Sequence, residues 1–362
     1  MIRLLLPLVL SGLLVVPAMA QSLDRMAGQM IVIGFKGDDA GDASFKYLRD
    51  EIAAGTLGGI MYLKTNVKSL AEVKAMNAAL RAASPDLPPF ITLDQEGGRV
   101  ERLTSAVGFP ETPSAQDMAA KDSPAEAQAA YAKMAAGIKA AGFTVNFGPV
   151  ADLRVNPDNT VIAKAGRSFG KTAKTVAAYD EAFVAAHHDA GLLTALKHFP
   201  GHGSSTADSH AGFVDISKTW SPTELDPYKT LFANGYDDFV MVGHLYHDEY
   251  AGKGSVKLPA SLSPDWINGV LRDQLKFKGV VISDDLEMGA IRKLFDLHDT
   301  IVDAVNAGVD VLLFSNTAAY DPKLVDKVRA ILVAEANADP AFKAKIEASY
   351  ARIVAMKGRI GK

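Results

Sequence analysis

The chain has 362 residues, 48% hydrophobic and 22% charged, a composition that builds a sizeable core and excludes a disordered tail. Lysine and arginine number 38 against 42 acidic residues, a net charge of -4, so there is no overall basic field to hold a nucleic-acid backbone. Cysteine is absent, which excludes a disulfide framework, a thiolate zinc site, a cysteine nucleophile and lipid attachment to an amino-terminal cysteine.

At the amino terminus Arg3 precedes an apolar run over residues 4–16, followed by Ala18-Met19-Ala20, a small-x-small cleavage pattern. This reads as a signal peptide at 1–20 and predicts an exported protein, periplasmic or secreted. A run this short, at 1.5 Å per residue, does not span a hydrocarbon core about 30 Å thick, which argues against a membrane anchor. Cleavage after Ala20 removes Arg3 and no acid, leaving 37 basic against 42 acidic residues, or -5. No later stretch has the apolar length of a membrane span, so no membrane association is expected after cleavage.

Beyond residue 20, eight short apolar or β-branched runs occur at 30–35, 57–63, 89–94, 143–147, 192–198, 239–244, 279–284 and 309–314. Each reads as a strand buried on both faces. Helical periodicity predicts helices between them, over 69–83, 115–141, 172–190, 263–276 and 291–307. Ser123-Pro124, Ser221-Pro222 and Ser263-Pro264 place an N-cap before a first-turn proline. Gly142, Gly191, Gly235 and Gly308 stand where helices should stop. Eight strand-helix units over about 300 residues predict an α/β fold, a single-domain (β/α)8 TIM barrel over residues 21–362. A doubly wound open sheet is the alternative, but it usually has fewer strands, and no linker marks the two-domain boundary it would need. The segments after Asp321 read as closing elements of the same barrel.

A barrel gathers the carboxyl ends of its strands around one mouth, and here those ends carry polar residues: Asp94, Asp152 just beyond strand four, Lys197-His198, His244 and Asp284-Asp285. The segment Asp94-Gln95-Glu96-Gly97-Gly98-Arg99-Val100-Glu101-Arg102 offers paired glycines for close approach, with Asp94 and Arg102 as acceptor and donor fork for sugar hydroxyls. Gly166-Arg167-Ser168-Phe169-Gly170 supplies another arginine from the loop after strand four. In Lys197-His198-Phe199-Pro200-Gly201-His202-Gly203 the proline and glycines let the following loop bend over the mouth. On that loop Asp208 and His210 stand two apart, spacing at which a carboxylate orients an imidazole and favours its protonated form. Asp284 is the first residue to emerge from strand seven; Asp285 alternates away and reads as a helix cap or supporting ion-pair partner. A carboxylate at the mouth facing a protonatable group is the arrangement that cleaves a glycosidic bond. A metal site among His198, His202, His210, His244 and His247 is the competing reading, weakened because the Phe-Pro-Gly turn keeps His198 and His202 off one helical face.

On these motifs the chain resembles glycoside hydrolase family 3, in its single-domain β-N-acetylglucosaminidase (β-N-acetylhexosaminidase) branch. Lys197-His-Phe-Pro-Gly-His-Gly203, Asp208-Ser-His210 and Ser283-Asp-Asp-Leu286 stand in the family's order and spacing. The resemblance implies Asp284 as the nucleophile of a retaining mechanism and His210, oriented by Asp208, as general acid and then base. It implies sugar contacts from Asp94, Arg102, Arg167, Lys197 and His198, with no cofactor and no metal. The substrate so implied is a small carbohydrate ending in β-linked N-acetylglucosamine, and the branch's common use in cell-wall recycling points to peptidoglycan fragments. A β-glucosidase or β-xylosidase, a phosphorylase on the same fold, and a non-catalytic glycan-binding protein are the alternatives.

Overall fold

The computed structural model of the protein describes residues 21–252, 257–317 and 319–361; the signal peptide expected at 1–20 lies outside them. All eight apolar runs are strands: β1 Ile31–Gly34, β2 Gly59–Tyr62, β3 Phe90–Leu93, β4 Val145–Asn146, β5 Leu193–Phe199, β6 Phe239–Val242, β7 Val280–Ser283 and β8 Leu312–Phe314. Their residues are buried throughout, as parallel strands covered on both faces must be. Neighbours pair in parallel in the order β8-β1-β2-β3-β4-β5-β6-β7. The ends of that order meet: Ile282 bridges Val311, the Ser283 amide donates to the Val311 carbonyl at 3.0 Å, and the Leu286 amide donates to that of Leu313 at 2.9 Å. The sheet therefore closes into the expected TIM barrel, and one continuous hydrophobic cluster from Met26 to Met356 fills it and the space beneath the helices.

Three helices depart from the periodicity. The expected helix over 115–141 is two, Ala115–Lys121 and Pro124–Ala141. Ser123 starts the second with a capping box shared with Glu126, and Pro124 has no N–H to continue the first. The expected helix over 291–307 also divides, into Gly289–Arg292 and Leu297–Ala307, because the Asp296 carboxylate accepts the Asp299 amide at 2.8 Å and caps a new start. The segment Asp265–Gln274 is wound as a π-helix. There the Ser263 hydroxyl expected to cap it donates to the Tyr250 carbonyl and lies 3.4 Å from the Trp266 amide. A short parallel arm, Val214–Asp215 with Leu245–Tyr246, lies outside the barrel sheet.

The closing elements are the helices Leu324–Ala338 and Pro340–Lys357. Lys357 is buried, donates to Gln29 Oε1 and the Gly58 carbonyl at 2.7 Å each, and holds its ammonium 4.8 Å from the Phe90 ring centre. Burial pushes its pKa down to about 7. These contacts fasten the chain's last helix to the amino ends of the strands, leaving the carboxyl ends open.

Candidate active site

The carboxyl ends surround a cavity of about 310 Å³ lined by Asp94, Arg102, Arg167, Lys197, His198, His210 and Asp284, with Met61, Leu63, Phe147, Met241, Met288 and Leu313 as apolar wall. Strict strand alternation would send only one of Lys197 and His198 into the mouth. Pairing between β5 and β6 shifts register between Leu196 and Phe199. The irregularity re-aims the backbone, and both side chains reach the cavity. A larger groove of about 770 Å³ at the amino ends of β6 and β7 is lined by Phe232, Tyr236 and Phe277 with Asp237, Lys229, Lys276 and Lys278, and none of the site residues singled out by the sequence lies in it.

One wall is an ion network. Lys197 donates to Asp94 Oδ1 at 2.8 Å and lies 2.6 Å from Glu96 Oε1; Arg102 Nη2 donates to Asp94 Oδ2 at 2.7 Å. Arg167 grips Glu96 with two bonds of 2.8 and 2.7 Å. Burial favours the neutral forms of both carboxyls, but Lys197 and Arg102 beside Asp94, and Arg167 and Lys197 beside Glu96, hold them below the usual range. Burial likewise opposes the Arg167 charge, and Glu96 more than restores it. Removing one partner of such a pair leaves a buried charge uncompensated, a cost of about 3–5 kcal/mol. Glu96 is the member that sequence reasoning missed. Its signal was present, since it stands two residues after Asp94 in the same motif.

Behind this wall, His198 Nδ1 donates to Asp152 Oδ2 at 2.7 Å, and Asp152 Oδ1 accepts the His202 amide at 2.7 Å. Arg167 Nη2 lies 3.3 Å from His198 Nε2. Both ring nitrogens are thus occupied, Nδ1 by Asp152 and Nε2 by Arg167. Burial favours a neutral Asp152, but the His198 ring and its N–H bond keep the carboxyl below its ordinary range.

Asp284 is half-buried at the mouth, and its Oδ1 accepts the Asp285 amide at 2.8 Å. Burial works against its charge, yet the imidazoles of His244 and His198, the Asp285 amide and His210 hold its pKa below the ordinary value. His244 reaches it from β6: its Nδ1 lies 2.7 Å from Ser261 Oγ and its Nε2 donates to the Asp285 carbonyl at 2.9 Å. Asp285 takes the cap-like half of its expected role, and among the described residues it forms no ion pair. Its Oδ1 accepts the amides of Glu287 at 3.1 Å and Ser315 at 2.9 Å, tying the β7 loop to the β8 loop.

His210 stands on the loop after β5 with 67% of its side chain exposed, while that of Asp208 is 41% exposed. Asp208 Oδ1 accepts both the His210 amide and its ring Nδ1–H, each at 2.8 Å. Nε2 is the ring nitrogen not engaged by Asp208, and the residue lines the cavity. Partial burial would raise the Asp208 pKa, and these two His210 donors bring it below the usual value.

The five histidines of the metal reading do not assemble a ligand set. His202 instead bonds Ser205 and Ser209, and burial pushes its pKa down to about 4. His247 Nδ1 accepts the Glu249 amide at 3.3 Å. Among the described residues the one group of three with ligand-range spacing is Asp296, His298 and Asp299, exposed and away from the cavity, where Asp296 serves as the helix cap.

The loop carrying His210 is rooted by Glu224, whose Oε2 accepts the amides of Gly203 at 3.0 Å and Ser204 at 3.3 Å. Burial, with the Asp152 charge adding, pushes its pKa up to about 8 against the donors of Ser204 and Gly203. A carboxyl raised in the folded state contributes stability present below its unfolded pKa and lost as pH rises through the folded value. Glu224→Gln keeps an acceptor and removes the charge, so the melting temperature of the variant relative to the parent is expected to rise from about pH 5 to about pH 8 and to level off above that. A difference independent of pH would show that Glu224 does not titrate there.

At the carboxyl end of the TIM barrel, Asp284 and the Asp208-bonded imidazole of His210 line one cavity, a carboxylate and a proton donor of the kind that glycoside hydrolases use. Residues 22–355 match the family model described as the glycosyl hydrolase family 3 N terminal domain, and the chain belongs to glycoside hydrolase family 3. The β-hexosaminidase of Stenotrophomonas maltophilia strain K279a is 33% identical over 312 residues, covering 82% of this chain and 85% of the relative. The β-hexosaminidase LpqI of Mycobacterium tuberculosis is 33% identical over 354 residues, covering 95% and 84%. Among solved structures, the β-N-acetylhexosaminidase of Beutenbergia cavernae superposes with a TM-score of 0.81 at 29% identity, over 94% of this chain and 99% of the other. The family 3 β-N-acetylglucosaminidase of Paenibacillus sp. FPU-7 gives 0.83 at 32%, over 94% of this chain and 63% of its own.

Proposed function

We propose that the protein is an exported, exo-acting, retaining β-N-acetylhexosaminidase that removes terminal β-linked N-acetylglucosamine from cell-wall fragments. The observation that carries this reading is Asp284, kept in its charged form at the mouth of a cavity it shares with His210. At about 310 Å³ the cavity lies near the lower end of ligand pockets, roughly 300–1,000 Å³. That suits one terminal sugar better than a run of them. The names of the relatives supply the N-acetylhexosamine preference, and the amino-terminal pattern supplies export and thereby an envelope substrate.

In this mechanism Asp284 attacks the anomeric carbon while His210 Nε2–H protonates the departing glycosidic oxygen. A glycosyl-aspartate forms and the aglycone leaves. The imidazole, now neutral, takes a proton from water as that water attacks the same carbon, and the Asp284 carboxylate is released. Asp94, Arg102, Arg167, Lys197 and His198 hold the sugar's hydroxyls with donors and acceptors fixed by their mutual bonds. Phosphorolysis would need free cations at the mouth, but Lys197, Arg102 and Arg167 are engaged by Asp94 and Glu96. That favours water as the acceptor.

A panel of chromogenic β-glycosides with and without phosphate tests the reading. Release from the N-acetylglucosaminide, independent of phosphate and of chelator, is expected. Preference for the glucoside or xyloside would overturn the substrate assignment, phosphate-dependent turnover would replace hydrolysis, and silence on every glycoside would leave a binding protein.

A further inference from the structure

We propose that the helical turn just after the nucleophile, Gly289–Arg292 with Lys293, is a clasp that holds the acid/base loop, and that Gly289 and Lys293 are positioning residues for His210. The proposal rests on the role given to His210 above. Three successive carbonyls of the loop are each taken by a donor from this one turn. The Ala290 amide donates to the Ser209 carbonyl at 3.1 Å, the Gly289 amide to that of His210 at 3.3 Å, and Lys293 Nζ to that of Ala211 at 2.7 Å. Elsewhere the loop is rooted by Glu224 and by the Ser205 and Ser209 contacts of His202. The clasp alone engages the backbone of His210 from outside the loop among the described residues.

Gly289 shows how closely the two segments fit. A Cβ there would lie 2.7 Å from the His210 carbonyl oxygen and 3.0 Å from the carbonyl carbon and oxygen of Ala211. Its φ is not in the left-handed region, so its own backbone does not demand glycine. What demands it is the approach of the loop. Only four residues separate Gly289 from Asp284, so the clasp fixes the proton donor against the chain segment that carries the nucleophile. Catalysis depends on such geometry being held within fractions of an ångström.

The test compares kcat/KM, which reports glycosylation, for methyl and dinitrophenyl N-acetyl-β-glucosaminides in Gly289→Ala, Lys293→Met and His210→Ala. Gly289→Ala is expected to lose about 10-fold or more on the methyl glycoside, a fraction of the roughly 10²- to 10⁴-fold carried by proton transfer, with about 2-fold or less on the dinitrophenyl glycoside. Lys293→Met, an exposed change that leaves the fold intact, should shift the same ratio less. Equal losses on both substrates, or no loss in either variant while His210→Ala discriminates between them, would overturn the clasp and leave the mechanism standing. If His210→Ala itself fails to discriminate, the role of His210 falls and the clasp with it.

Discussion

Asp284→Asn is expected to lower kcat/KM by roughly 10⁴-fold or more on every aglycone, the scale seen when a nucleophile is removed from an enzyme that works through a covalent intermediate. The substitution keeps the shape of the side chain and its acceptor for the Asp285 amide, so the cavity wall survives. What is lost is the anion. No neighbour takes its place: Asp285 is committed to the amides of Glu287 and Ser315, and burial raises its pKa. Asp94 and Glu96 are locked by Lys197, Arg102 and Arg167. Better leaving groups should not rescue the variant, because they relieve the need for an acid and not for a nucleophile. Steady-state kinetics on a dinitrophenyl glycoside decides it, and near-normal turnover would place the nucleophile elsewhere or in the substrate's own acetamido group.

His210→Ala should behave differently. It deletes proton transfer, worth roughly 10²- to 10⁴-fold, and leaves Asp284 and the sugar contacts in place. With a methyl aglycone the departing oxygen needs a proton, and kcat/KM should fall by the full amount. Dinitrophenolate leaves unassisted, so its kcat/KM should be largely retained. Its kcat should nevertheless fall, because the second step now lacks a base. Asp208 bonds the His210 ring and is not itself among the residues lining the cavity, so any effect of its removal should pass through that ring. Equal impairment on both substrates, with glycosylation limiting, would remove His210 from the acid role.

The strands were the most legible part of the sequence, because a strand buried on both faces is an uninterrupted apolar run and eight such runs at barrel spacing leave few alternatives. Helix continuity was harder to read. The apolar period passes through Asp122-Ser123-Pro124 and through Asp296, and only the local bonds of Ser123 and Asp296 end one helix and start another. The arm of Val214–Asp215 and Leu245–Tyr246 carries two residues per strand, too few for any period.

At the site, chain position at strand ends was enough to single out Asp94, Lys197, His198 and Asp284, and the motifs added Arg102, Arg167, Asp208 and His210; the structure gathers all but Asp208 around one cavity, and Asp208 stands behind His210. Partnerships were not legible. That Lys197 serves both Asp94 and Glu96, that Asp152 orients the His198 ring, and that Glu224 roots the loop are contacts across 20 to 103 residues of sequence. The apolar wall was equally silent, since Met61, Phe147, Met241 and Leu313 look like any other core residues until the cavity is seen.

The central claim is that Asp284 becomes covalently glycosylated. The His210→Ala variant, mixed with a dinitrophenyl N-acetyl-β-glucosaminide and quenched in acid within its first turnovers, should accumulate that species because water attack lacks its base. Mass spectrometry of the digested protein is expected to find one N-acetylhexosaminyl addition on the peptide containing Asp284, and none once turnover is complete. Rapid release of dinitrophenol from a protein that stays unmodified, or an addition on another carboxylate, would contradict the account.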